Sequence, residues 1–334
     1  MNTTHPDTTA STTTAALTTI EDARLALLHD ELQLTPSAFR STLAKTLDDL
    51  TRASTGLGIT RCCDLIGRVE DILLTVTGHA ISAPNLEHGS AAAARLHRNR
   101  NVLCTLIVLS VESCRDVKAA LEGTKVQIPR TARFERSLSD DEILLMRSYA
   151  LRQAQSTDPR IARGGLIYAL VEAGVDAHEI SHIKVCDLQG STHPERVHAT
   201  GYGHTVTERS VPLEPFAAAL AHRCRSRMPR STAGEEQPLA YKPRKHEPGT
   251  IAAYKSVHMT LTNTLVHTGL KFVDTTPNAV GSWRHQLEYT RGRDAAVRAV
   301  CGRSDIDNLK ARFLTEAQRE EDFLSALDAA YHSM

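Results

Sequence analysis

The chain has no excess charge of either sign: 39 Lys and Arg are matched by 39 Asp and Glu, for a formal net charge of zero. Bulk attraction therefore argues neither for nor against a polyanionic partner, and only a local basic face bears on it. A Cys-x-x-Cys pair is also missing. The seven cysteines are scattered, with Cys62 and Cys63 adjacent, a pattern of reduced, mostly buried thiols rather than a disulfide framework. No apolar run is long enough to span a bilayer; the longest, such as Val102 to Val111, are short and interrupted. The first sixteen residues are rich in Thr, Ser and Ala and carry neither an apolar run nor a basic start. They read as a disordered tail and not a targeting segment. There is no internal repeat. These absences describe a protein without a membrane span, expected in the cytoplasm. At 334 residues it has room for two ordinary domains, each able to bury a core.

Helical periodicity dominates what is present. Residues 17–122 read as helical throughout. Ile20, Ala23, Leu27 and Leu28 form one stripe, and Leu65, Ile66, Val69, Ile72, Leu73 and Val76 form another, closed by Gly78. A third stretch runs from about Ser90 to Leu121. Over residues 123–137 the pattern stops, and Lys125, Arg130, Arg133 and Arg136 are interleaved with Pro129 and one acid, Glu135. This is a basic linker, either a solvated connector or a strap along DNA phosphates. Residues 138–334 form the second unit. It opens with a capping box, Ser139 with Glu142, before Ile143, Leu144 and Leu145. An apolar helix over 161–173 follows, then a break at Gly174 and a short helix over 177–185. The period changes over 196–213, where Gly201-Tyr202-Gly203 sits between strand-like runs of an antiparallel hairpin. Helices are expected at 213–227, 250–267, 276–289, 294–301 and 305–331, with a mobile loop at 228–249.

The C-terminal part carries the most specific signal. Gly281-Ser282-Trp283-Arg284-His285 is followed by Cys301-Gly302-Arg303-Ser304-Asp305 and then Arg312-Phe313. Together with the Leu-Ser-Asp-Asp-Glu opening at 138–142 and Arg209-Ser210-Val211-Pro212-Leu213, these segments resemble the catalytic domain of tyrosine recombinases, the phage integrase family. The resemblance covers roughly residues 90–320. It implies a mainly α (α+β) fold: an N-terminal helical bundle like the family's core-binding domain, then a recombinase-like helical domain with a small antiparallel sheet. It also implies a clamp around double-stranded DNA, and a C-terminal helix, here Glu316 to Tyr331, that passes to a neighbouring protomer in a homo-oligomer.

In that family a tyrosine attacks a backbone phosphate while two arginines, a lysine and one or two histidines neutralise the transition state and move protons. Five of the six matched positions are substituted here. The first arginine is Asp176, the lysine is Tyr202 and the first histidine is Gly281. The second histidine is Arg303, and the nucleophile falls at Arg312 or Phe313. Only Arg284, the second arginine, is retained, with His285 beside it. The resemblance thus implies a DNA-binding protein without strand cleavage: an accessory or regulatory factor of a mobile element or plasmid, or a decayed integrase. It would grip phosphates through Arg284, His285, Arg291, Arg293, Arg298, Arg303 and Lys310, through the linker cations, and through a basic patch at Arg95, His97, Arg98 and Arg100. No cofactor and no metal are expected.

Three other readings compete. One is an active recombinase with an atypical site, using Tyr289 or Tyr331 as nucleophile. Another is a helical oligomerisation protein. The third is a zinc hydrolase, because His178-Glu179-Ile180-Ser181-His182 matches His-Glu-x-x-His, in which a helix puts both histidines on one face and the glutamate activates water.

Overall fold

The computed structural model describes residues 17–81, 86–87, 90–126, 137–190, 193–202, 206–227, 232–241, 247–271 and 275–290. The expected tail, Arg130, Arg133 and Arg136 of the linker, and Arg291, Arg293, Arg303, Phe313 and the C-terminal helix lie outside these residues.

The N-terminal half is helical as its stripes require: α1 (Ile20–Leu28), α2 (Arg40–Gly56), α3 (Val69–Thr77), α4 (Ala91–Ser110) and α5 (Cys114–Ala120). Local chemistry sets the ends. Thr19 and Ser90 cap α1 and α4 by accepting from Asp22 N and Ala93 N, and Gly78 closes α3 in the left-handed region at φ 75°. The third expected stretch is two helices, not one. It breaks after Ser110, where Ser113 accepts from Arg115 N and starts α5 afresh. From Asn99 to Leu109 every residue of α4 is buried, so this part of the helix is surrounded on all sides.

The second half contains α6 (Asp140–Gln155), α7 (Pro159–Glu172), α8 (Pro215–Ser226), a one-turn α9 (Thr232–Glu235), α10 (Ile251–His267) and α11 (Asn278–Thr290). The capping box before α6 forms, with Glu142 Oε2 accepting from Ser139 N at 2.9 Å. The antiparallel hairpin forms too, as β2 (Arg196–Ala199) and β3 (Arg209–Pro212), with Val197 opposite Val211 and Ala199 opposite Arg209. A two-residue strand, β1 (Leu188–Gln189), joins the other edge of β2 and was not foreseen. Residues 177–182 are turns instead of the expected short helix. Part of the expected loop at 228–249 is anchored: Leu239 and Ala240 are buried, and Leu239 N donates to Ile183 O at 2.7 Å.

One hydrophobic core runs through both halves, with α4 packed on α6 and α6 on α7. Buried polar side chains cross the same boundary. Arg152 of α6 donates to the carbonyls of Val108 and Leu109, two acceptors that the end of α4 leaves without intrahelical partners. Arg147 donates to Leu34 O, and Asn101 donates to Asp141 at 2.7 Å. Arg100 corrects the sequence reading. It is 1 % exposed, and its guanidinium donates to Thr124 O, Thr124 Oγ1, Asn101 Oδ1 and Thr268 O. It is a strut inside the protein and cannot reach a DNA phosphate.

α6 and α7 approach closely, since a Cβ on Gly165 would lie 2.3 Å from Ala150 O. Gly165→Ala is expected to destabilise the protein by about 1–3 kcal/mol through overpacking. Gly56→Ala, in the last turn of α2 with nothing within 4 Å of an added Cβ, should not destabilise and should add up to about 1 kcal/mol through helix propensity. Urea unfolding of the two variants checks this; equal midpoints would contradict the close α6–α7 contact.

Candidate functional site

The site forms where α7 ends. Gly174, at φ 104°, reverses the chain, and Asp176 then opens the 177–182 turns. The Asp176 carboxylate accepts from His178 N at 2.9 Å and meets His178 Nδ1 at 2.9 Å. Glu179 completes a reciprocal arrangement by accepting from Asp176 N at 2.9 Å. The same carboxylate, 0 % exposed, is gripped bidentately by Arg209 of β3 at 2.7 and 2.9 Å and also accepts from Gly201 N at 2.9 Å. Arg209 in turn donates to Gly174 O. One buried ion pair therefore fastens the turn after α7 to the hairpin and to the strand behind it.

Fixed in this way, the His178 ring lies between two tyrosines. Tyr202 at the hairpin tip stacks on one ring (centroids 4.3 Å, planes 20° apart), and Tyr254 of α10 stacks at 3.8 Å and 5°. A cleft of about 320 Å³ opens beside this stack, lined by Asp176, His178, Tyr254, His258, Gly281, Ser282 and His285, among others. Two positions that the sequence pairs only through the resemblance, Asp176 and Gly281, thus line one cleft. Tyr202 joins it through His178.

Arg284 faces elsewhere. It is 8 % exposed and ion-paired with Glu214, which also binds Arg147 at 2.8 Å, while Arg147 binds Glu172 at 2.6 Å. Arg147 and Glu214 of this series line a second cleft, of about 420 Å³, where Arg147 sits over the rings of Phe216 and Trp283 at 5.3 and 5.5 Å. Burial pushes the Glu214 carboxyl up, but the guanidiniums of Arg284 and Arg147 outweigh it and hold the group below the usual carboxylate range. The retained arginine is thereby engaged by an acid, so the expected phosphate grip through Arg284 would require that pair to open.

The remaining basic positions separate. Arg95 is exposed and donates to Val76 O at 2.8 Å; Arg98 is half-buried; Lys125 is exposed and donates to Lys271 O at 2.9 Å. The zinc-hydrolase reading fails on geometry. Glu179 is buried and already accepts from Arg209, Gly201 and Asp176, which leaves no glutamate to activate water. The two histidines do not share a helical face, because the segment is not a helix, and His182 lies against Gly249. Among the described residues no group of three His, Cys, Asp or Glu is placed to hold a metal ion. Sequence reasoning missed Tyr254 and His258. Their i,i+4 spacing puts both on one face of α10, but nothing local says that the face meets His178.

No protein-family model and no curated protein sequence matches the chain. Among solved structures, it is similar to a XerH site-specific recombinase bound to palindromic difH substrate, over 92% of this chain and 96% of that one, at 14% identity and a TM-score of 0.43. It is similar to XerA recombinase over 90% of this chain and 98% of that one, at 12% identity and a TM-score of 0.41. A lambda integrase dimer bound to a COC′ core site aligns over 93% and 81%, at 14% identity and a TM-score of 0.38.

The depressed Glu214 pKa fixes a sign. Its stabilisation is fully present above the ordinary carboxylate value of 4.5 and is lost as pH falls below it. Glu214→Gln should cost about 1–3 kcal/mol at pH 7, and the deficit relative to the wild type should shrink by pH 3. Urea unfolding at both pH values checks this; a deficit that does not change with pH would contradict it.

Proposed function

We propose that this protein is a tyrosine-recombinase-like factor that binds double-stranded DNA and does not cut it by the family's reaction, acting as an accessory or regulatory DNA-binding protein. The observation that carries the reading is the cleft shared by Asp176 and Gly281, the positions matched by resemblance to a catalytic arginine and a catalytic histidine. Phosphoryl transfer through such a site depends on cations facing the phosphate, and loss of one transition-state donor typically costs about 10²–10³ in rate. A carboxylate in that place is worse than an absence. Two like charges about 4 Å apart repel by roughly 1–4 kcal/mol in a solvated site. The tyrosine in the lysine's place is stacked on His178, and the retained Arg284 is paired with Glu214. Binding itself draws on cations outside the cleft, among them the exposed Arg95 and Lys125. The outer linker cations, Arg130, Arg133 and Arg136, together with Arg291, Arg293 and Arg303, extend the same proposal.

Duplex affinity is expected to fall linearly with salt on logarithmic axes. Asp176→Asn should tighten binding about fivefold or more, the low end of the repulsion above. Fluorescence anisotropy with a labelled duplex over a salt series measures both. No binding to any duplex at low salt would overturn the reading in favour of an oligomerisation protein.

A further inference from the structure

Away from the Asp176 cleft, arginines gather at the other end of α7. Arg160 and Arg163 lie near the start of α7, Arg223 in the last turn of α8, Arg227 at its cap, and Arg115 in the first turn of α5. These segments converge: Arg227 donates to Ser156 O at 3.4 Å, and Arg115 meets Asp158, the α7 cap, at 3.4 Å. Asp158 is also 3.9 Å from Arg160, so one carboxylate serves two guanidiniums. Arg163, Arg223 and Arg227 surround the buried Cys224, where burial pushes the thiol up and these three charges pull against it. Burial, and then the charge of Arg227, lower the Arg223 guanidinium from its usual value. Among the described residues neither Arg223 nor Arg227 is paired with a carboxylate. The other acids of this end lie to its sides: Glu112 and Asp116 with α5, and Glu235, 4.0 Å from Arg225. The chain leaves α8 as Met228-Pro229-Arg230-Ser231, which adds a cation and no acid. Like charges gathered in this way repel one another, and a polyanion relieves the repulsion.

The helices set this cluster apart from the cleft. α7 has 14 residues and is about 21 Å long, with the cluster at its start and Asp176 just beyond its end. α8 points the same way, since Glu214 before its first residue meets Arg284 while its cap reaches Ser156. α4 and α6 run side by side in one direction, because Asn101 meets Asp141 and Arg152 meets Val108 and Leu109. Arg95, near the start of α4, therefore also lies toward the cleft end. A straight duplex held at that end leaves the cluster uncovered. Arg223 and Arg227 are one turn, about 6 Å, apart along α8. That spacing suits a ligand of closely repeated charge, and a duplex carries one negative charge per ~1.7 Å of its axis. We propose that the cluster is a second DNA-backbone surface, so that one protomer holds two duplexes at opposite ends of α7. The proposal rests on the DNA-binding reading above. Its contacts are to phosphates, so the second duplex can have any sequence.

The test uses the full-length protein at low salt. Beads carrying one duplex are loaded with protein and then offered a second, fluorescent duplex, while anisotropy measures binding to a single duplex. The wild type should capture the second duplex, and Arg223→Ala/Arg227→Ala should reduce that capture at least about tenfold while still binding one duplex. Sedimentation confirms that the variant keeps the wild-type oligomeric state. Arg160→Ala/Arg227→Ala, at two exposed positions, serves if the first variant unfolds. Binding of one duplex without capture of a second, or equal capture by the variants and the wild type, overturns the surface and leaves the DNA-binding reading intact. Equal loss of capture and of single-duplex binding overturns the two-duplex arrangement. Polyglutamate bound by the wild type and not by the variants, with no duplex captured, overturns DNA as the occupant in favour of an acidic protein. Absence of duplex binding in every measurement removes the DNA-binding reading and the proposal with it.

Discussion

The Glu179 carboxylate is the constraint on which the site depends. It is fully buried, and a buried charge is tolerated only when it is paired and hydrogen-bonded. Arg209 supplies the opposite charge bidentately, and the backbone N–H groups of Asp176 and Gly201 supply two further donors. These partners belong to the turn after α7, the hairpin tip and β3, so satisfying one carboxylate fixes three segments relative to one another. Gly201 permits the tight tip: its φ is 79°, and a Cβ there would lie 2.5 Å from Val206 O. The position of Asp176 in its cleft and the sandwiching of His178 between Tyr202 and Tyr254 follow from that anchor. Truncating Glu179 would leave the Arg209 charge, at 7 % side-chain exposure, without its carboxylate, so the loss should cost more than the pair itself adds to stability.

A second set of buried cations joins the two halves of the chain. Arg100, Arg147 and Arg152 each donate across the boundary between the N-terminal helices and the rest, and α4 lies in a core common to both. The basic residues of this protein therefore divide by role. Some are exposed, as Arg95 and Lys125 are, while others are internal struts whose charge is spent on carbonyls and carboxylates. Arg284 belongs with the struts through Glu214 and Arg147.

Much of the helical framework was legible because its signals are local. The stripe closed by Gly78, the Ser139–Glu142 box and the hairpin of 196–213 all appear where periodicity and capping chemistry put them. Errors arose where tertiary partners decide. Arg100 reads as part of a basic patch because Arg95, His97 and Arg98 flank it, yet it sits on the face of α4 that meets Thr124 and Thr268. Residues 177–182 read as a helix, but Glu179 turns inward to Arg209 and the segment settles into turns. At the site, Asp176 and Gly281 were linked only through a family resemblance and do share a cleft. The Arg284–Glu214 pair joins residues 70 positions apart, and no local pattern announces it.

The central claim is that a recombinase-like scaffold here holds DNA without breaking it. Its most direct test is a nicked suicide duplex, in which a cleaved strand would lose a short fragment and leave the protein covalently attached at the phosphate. Incubation with the full-length protein, followed by denaturing electrophoresis, reads the adduct. No adduct is expected, from a preparation that retards the same duplex under native conditions. A reproducible adduct, abolished by replacing a single tyrosine with phenylalanine, would contradict it.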